Sequence, residues 1–106
     1  MSSVPDRRQR IRKQLGLMIP VRLVDDETQA GIFCQIYDVN RAGLGVITQQ
    51  MLPIGKIVKL VTLNGDVKFQ VVWCEEPKTA EVSFNCGLDL VDGQHDLEKM
   101  FDRFFK

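Results

Sequence analysis

Two stretches of the chain carry side chains whose types and spacing suit ligand chemistry. The first is Arg7-Arg8-Gln9-Arg10-Ile11-Arg12. If extended, Arg8, Arg10 and Arg12 share one side; if helical, Arg8 and Arg12 lie one turn apart. Either way two guanidinium groups can converge on one ligand. Their planar fork of donors matches phosphate oxygens and the O6/N7 edge of guanine, which lysine does not match in the same way. The second stretch is Asp38-Val39-Asn40-Arg41-Ala42-Gly43, directly after the apolar-rich run Ile32–Tyr37. Asp38 and Asn40 are two apart, so both can point to one side. A carboxylate accepts from a guanine N1/N2 edge, and an amide both donates and accepts. Taken singly, each stretch also has a plainer reading, a solvated basic arm and a strand-ending turn.

Other chemistry is harder to assemble. The three cysteines, Cys34, Cys74 and Cys86, have no CxxC spacing, and each sits in an apolar, strand-like stretch. That suits reduced thiols acting as small hydrophobes. The one histidine, His95, lies far along the chain and makes a poor zinc set with scattered cysteines. No nucleophile–base pair, metal set or phosphate loop emerges, so the expectation is a binding protein without catalytic residues, metal or cofactor.

The chain has 106 residues with 14 basic and 14 acidic groups. Its length fits one domain. Formal neutrality hides an asymmetry. Residues 1–24 hold six basic side chains against Asp6, a balance of +5, and residues 25–106 carry −5. A basic arm precedes an acidic body, so the local cluster bears on an anionic ligand more than the total does. No apolar run is long enough to span a bilayer and no signal-peptide stretch opens the chain, so a cytoplasmic protein without membrane partners is expected.

The elements that must position these residues are mostly strands. Val82, Phe84, Cys86, Leu88 and Leu90 alternate with polar residues, and Val67, Phe69, Val71 and Trp73 repeat the pattern. Asn64-Gly65 separates the second run from Lys56–Leu63 as a hairpin turn would. Further strands are expected near 19–25, 31–38 and 43–49. Six short strands with Gly, Pro and Asn punctuation predict a mainly β protein, an antiparallel barrel or sandwich. After Asp92 the period changes: Leu97, Met100, Phe101, Phe104 and Phe105 fit one face of a C-terminal α-helix over about residues 93–106. Residues 1–18 are read as a flexible basic N-terminal arm and residues 19–106 as the folded unit.

In this order the two stretches resemble the PilZ domain family, marked by an RxxxR segment and, some tens of residues later, a [D/N]xSxxG segment. Arg8-Gln9-Arg10-Ile11-Arg12 matches the first, and Asp38-Val39-Asn40-Arg41-Ala42-Gly43 matches the second except at Asn40, where the family has serine. Ile19-Pro20-Val21-Arg22-Leu23, Gly43-Leu44-Gly45-Val46, Leu52-Pro53-Ile54-Gly55 and Cys86-Gly87-Leu88 extend the likeness over nearly the whole chain. The resemblance implies a six-stranded antiparallel barrel with a C-terminal helix, and a bacterial receptor for the second messenger cyclic di-GMP. It makes Arg8 and Arg12 a clamp on phosphate and guanine, Asp38 a guanine acceptor with Asn40 beside it, and Gly43 a point of close backbone approach. Arg7 becomes an extra contact. It also implies signalling to an effector protein in trans, in motility or exopolysaccharide control.

Two rivals follow from the same residues. One is a degenerate PilZ protein–protein adaptor that binds no nucleotide. The other is a small β-barrel binding single-stranded nucleic acid through its arm. The acidic body disfavours the second, and so do aromatics placed mostly on apolar faces, because such barrels need exposed stacking platforms.

Overall fold

A computed structural model of the chain describes residues 13–76, 83–91 and 95–104. Six antiparallel strands close into a barrel: β1 (Lys13–Asp25), β2 (Gly31–Asn40), β3 (Gly43–Thr48), β4 (Ile57–Thr62), β5 (Gly65–Glu75) and β6 (Phe84–Leu90). The order around the barrel is β1-β2-β3-β6-β5-β4, and β4 pairs back onto β1. A single helical turn, α1 (Leu97–Met100), leads into a 3-10 turn at Asp102–Phe104. The chain is thus mainly β, a closed six-stranded antiparallel barrel with a short C-terminal helix, as the alternation and punctuation predicted.

Alternation fills the interior. Ile32, Cys34 and Ile36 of β2, Val67, Phe69 and Val71 of β5, and Cys86 and Leu88 of β6 are all buried. Leu23, Val46 and Val58 supply the remaining strands' share of the core. Leu97 and Phe101, one helical turn apart, are buried where α1 meets β2.

Three elements differ from expectation. First, β1 starts at Lys13 and not near Ile19, because Lys13 and Gln14 pair with Val39 and Asp38. From Gln14 to Ile19 the strand takes five steps while β2 takes two, from Asp38 to Ile36. The surplus residues bulge, which erases the period-two pattern that would have marked the strand. Second, the helix is much shorter than 93–106. Asp96 caps it, its carboxylate accepting from the Lys99 N–H at 3.1 Å, and α1 ends after one turn. Met100, expected on the buried face, is exposed. Third, Trp73 leaves the inward row of Val67, Phe69 and Val71, for a reason that matters to the site described below. At the β4–β5 hairpin the Asn64-Gly65 turn is present, and Gly65 alone of the pair takes a positive φ (117°).

The barrel closes at a seam with only Val24↔Lys59 and Asp25↔Val58 as paired positions. Asp25 reinforces it. Its carboxylate accepts from the backbone N–H groups of Glu27 (2.9 Å) and Thr28 (3.2 Å), tightening the β1–β2 turn. The other oxygen accepts from Lys56 Nζ at 2.6 Å, just before β4. These bonds, the one from Lys56 foremost, hold the Asp25 carboxyl down at about 2, and the same bond raises the Lys56 ammonium above its ordinary value.

The consequence for stability has a definite sign. Asp25 ionises more readily folded than unfolded, so its contribution is complete above the ordinary carboxylate range and is lost as pH falls toward about 2. The Lys56 contribution is complete below the ordinary ammonium value and is lost as pH rises through the raised one. Thermal unfolding followed by circular dichroism should show Asp25→Asn melting below the wild type at neutral pH. The gap should close as the solution is acidified, and a gap independent of pH would contradict the seam assignment.

Candidate ligand-binding site

Two bulges at the same level of the barrel build the site. On β2, Ile36 pairs with Val46 and Asp38 with Gly45, so Tyr37 is an extra residue without a counterpart on β3. On β5, Val71 pairs with Leu88 and Trp73 with Gly87, so Val72 is extra against β6. Each insertion reverses the in–out alternation from that point. Val39 then faces the core in place of Asp38, and Cys74 packs against it in place of Trp73.

The register therefore aligns one continuous row across four strands: Asp38 on β2, Gly45 on β3, Gly87 on β6 and Trp73 on β5. The two glycines in the middle are functional in a steric sense. A methyl group on Gly87 would overlap the Trp73 indole, and one on Gly45 would meet the Asp38 carboxylate and the Tyr37 ring. The indole thus lies across Gly87, and the Asp38 carboxylate lies across Gly45. Neighbouring strands are about 4.8 Å apart, so an aromatic ring and a carboxylate stand side by side on the outer face.

Asn40 also shapes the local backbone. It is nearly buried, and its Oδ1 accepts from the backbone N–H groups of Ala42 (2.7 Å) and Gly43 (3.0 Å). It shapes the β2–β3 turn, a role that serine can also fill through its hydroxyl. Asp38 and Asn40 flank the core-facing Val39 and line the same trough, as their spacing predicted. Gly43 is needed for a close approach, but the approach is internal: a methyl group there would strike the Leu88 carbonyl of β6. At the tip of the same turn, Arg41 is largely exposed and stands 4.0 Å from Glu98 of α1.

Asp38, Asn40, Gly43, Trp73 and Asp89 line a shallow trough of about 20 Å³. Small-molecule pockets ordinarily enclose roughly 300–1,000 Å³, so at this row the described residues offer a platform and not a container. A larger concavity, about 560 Å³, lies toward the other end of β3, lined by Arg22, Phe33, Cys34, Gln35, Ile47 and Thr48 among others. Its walls are mainly apolar, and the one cation among the described lining residues, Arg22, sits 6.0 Å from the Phe33 ring centroid. Among the described residues it includes none of those singled out for ligand chemistry.

Arg7, Arg8 and Arg12 lie outside the described residues. Their point of attachment does not: Arg12 is bonded to Lys13, whose partner is Val39, and the next residue, Gln14, pairs with Asp38. Sequence reasoning missed Trp73 and Arg41 as site residues. Arg41 was visible inside the quoted hexapeptide, whereas Trp73 was hidden by an alternation that the Val72 bulge breaks. Among the described residues no group of His, Cys, Asp and Glu side chains could hold a metal ion, and no helix is long and apolar enough to cross a membrane. No protein-family model and no curated relative matches the chain.

Two substitutions test this geometry. Gly87→Ala should cost about 1–3 kcal/mol by overpacking and shift Trp73 emission, because the indole must move; unchanged emission would contradict the row. Asn40→Ala should cost about 1 kcal/mol in chemical denaturation, with Asn40→Ser losing less.

Proposed function

We propose that the chain is a receptor for cyclic di-GMP which folds its arginine segment over the Asp38–Trp73 platform and presents the result to an effector protein. The observation that carries this reading is the cross-strand row that sets an indole beside a carboxylate. A purine stacks on an aromatic face with about 1–3 kcal/mol per base, and a carboxylate pairs with the N1–H and N2–H donors of guanine. Adenine offers no such pair of donors, so the combination selects guanine. The likeness of Arg8–Arg12 and Asp38–Gly43 to the PilZ motifs supplies the rest of the ligand, two phosphates joining two guanosines.

Charge and shape argue for the arm's participation. The platform is too shallow to hold a nucleotide by itself, and the body to which it belongs is acidic overall. Phosphates therefore need cations from elsewhere. Arg8 and Arg12 are tethered through Lys13 to the strand pair beside Asp38, and Arg41 stands exposed at the adjoining turn. Ligand binding neutralises mutual repulsion among Arg7, Arg8, Arg10 and Arg12. Ordering the arm costs about 1–2 kcal/mol per residue fixed, which charge-assisted bonds to phosphate must exceed. The covered platform, part ligand and part protein, is then a surface that exists only in the bound state. Motility or exopolysaccharide control is the output we infer for it.

Calorimetric titration of the chain with cyclic di-GMP tests the reading. Binding is expected, with Arg8→Ala and Arg12→Ala each losing about 1.5–3 kcal/mol, roughly ten- to a hundredfold in affinity. Asp38→Ala should weaken cyclic di-GMP and leave any residual binding of the adenine analogue unchanged. Absence of binding by the wild type would favour the adaptor alternative, and a salt-dependent shift of single-stranded DNA or RNA without a dinucleotide response would favour the nucleic-acid alternative.

A further inference from the structure

Cys74 and Cys86 occupy directly opposed positions on β5 and β6, and their sulfurs are 2.7 Å apart. They are free thiols, twelve positions apart in sequence and brought together only by register. Opposed residues of antiparallel strands have Cα atoms about 4.5–5.5 Å apart, inside the roughly 4.4–6.8 Å range that a disulfide spans. Bond formation therefore requires the sulfurs to close by a fraction of an ångström, with no strand displacement. The Val72 bulge makes this possible, since without it Trp73 would face the interior in place of Cys74.

We propose that Cys74 and Cys86 are an oxidation site, converted by a hydroperoxide into an intrachain disulfide within the folded barrel. The two thiols divide the chemistry by exposure. Cys86 is fully buried, and burial first, then the contact with Cys74, pushes its thiol up to about 12. Being buried, it is not the sulfur that first meets oxidant from solvent. Cys74 is the less buried residue of the two, so its sulfur is the one expected to react with hydrogen peroxide. Its sulfur attacks one peroxide oxygen, the O–O bond breaks, and the departing oxygen leaves as water with the thiol proton, giving a sulfenic acid. The Cys86 sulfur then attacks the Cys74 sulfur, and the expelled hydroxyl leaves as a second water with the Cys86 proton. Two thiols and one peroxide become one disulfide and two waters; the sulfurs lose two electrons and the peroxide oxygens gain them.

The bond would join β5 to β6 one residue away from Trp73 and Gly87, the aromatic end of the cross-strand row. Oxidation is therefore expected to alter Trp73 emission. Cys34, the third thiol, is buried on β2 opposite Val21 and Thr48, so the register gives it no disulfide partner and it is expected to stay reduced.

Peptide mapping of the full chain provides the test. Folded protein is treated with hydrogen peroxide, quenched, denatured, alkylated and digested. The expected product carries one alkyl group, on Cys34, with Cys74 and Cys86 joined and the mass lower by two hydrogen atoms. Dithiothreitol should restore three alkylatable thiols and the original Trp73 emission. Cys86→Ser should stop at a Cys74 sulfenic acid that dimedone traps; if that variant does not fold, the wild-type map alone decides. Three alkylated cysteines after peroxide, a bond to Cys34, or only disulfides between two chains would overturn the proposal. Cyclic di-GMP plays no part in this assay, so its outcome is independent of the receptor reading.

Discussion

One residue of β5, Val72, has no counterpart on β6, and one residue of β2, Tyr37, has none on β3. In a strand whose side chains alternate with a period of two, a single unmatched residue exchanges the faces of everything beyond it. Both insertions occur at the same level of the barrel, so both exchanges act on the same cross-strand row. They turn Asp38 and Trp73 outward over Gly45 and Gly87, and they bring Cys74 to the core side against Cys86. The Asp38–Trp73 platform depends on both shifts, and the thiol pair on the one at Val72. Restoring regular pairing at Val72 would send Trp73 toward the core and dismantle both.

The barrel gives this arrangement its stiffness. Closure through β4 and β1 leaves no free edge along the sheet, and the Asp25–Lys56 pair secures the seam farthest around the barrel from the row. Glycine at positions 43, 45 and 87 lets side chains and backbone lie flat against β3 and β6. The result is a fixed platform too shallow to enclose a ligand, bordered by the strand pair from which the arginine segment departs. On the proposed reading the arginine segment would supply a tethered cationic cover for this rigid base, and the bound state would then differ in surface from the free one.

Much of the fold was legible in the sequence. The runs at Val67–Val71 and Phe84–Leu90 read directly as strands because their alternation is regular, and the Gly, Pro and Asn punctuation marked the connections. What stayed hidden was wherever regularity fails. The first part of β1 was missed because its excess residues bulge, and the terminal helix was overextended because five apolar positions at helical spacing say nothing about where packing stops. The site was legible in part. Asp38 and Asn40 were identified for their chemistry, and the strand-ending turn that the Asn40 amide oxygen closes was legible as well. Trp73 and the Cys74–Cys86 pair were invisible, since spacing along the chain carries no information about a pairing register set by one unmatched residue.

The central claim is that Asp38, Gly45, Gly87 and Trp73 form one ligand-facing row. Heteronuclear NMR of the ¹⁵N-labelled chain during addition of cyclic di-GMP measures it most directly. The Trp73 indole Nε1–H and the backbone amides of Asp38, Gly45 and Gly87 should shift together and saturate at one ligand concentration. Saturable shifts confined to other strands, with these four unmoved, would contradict it.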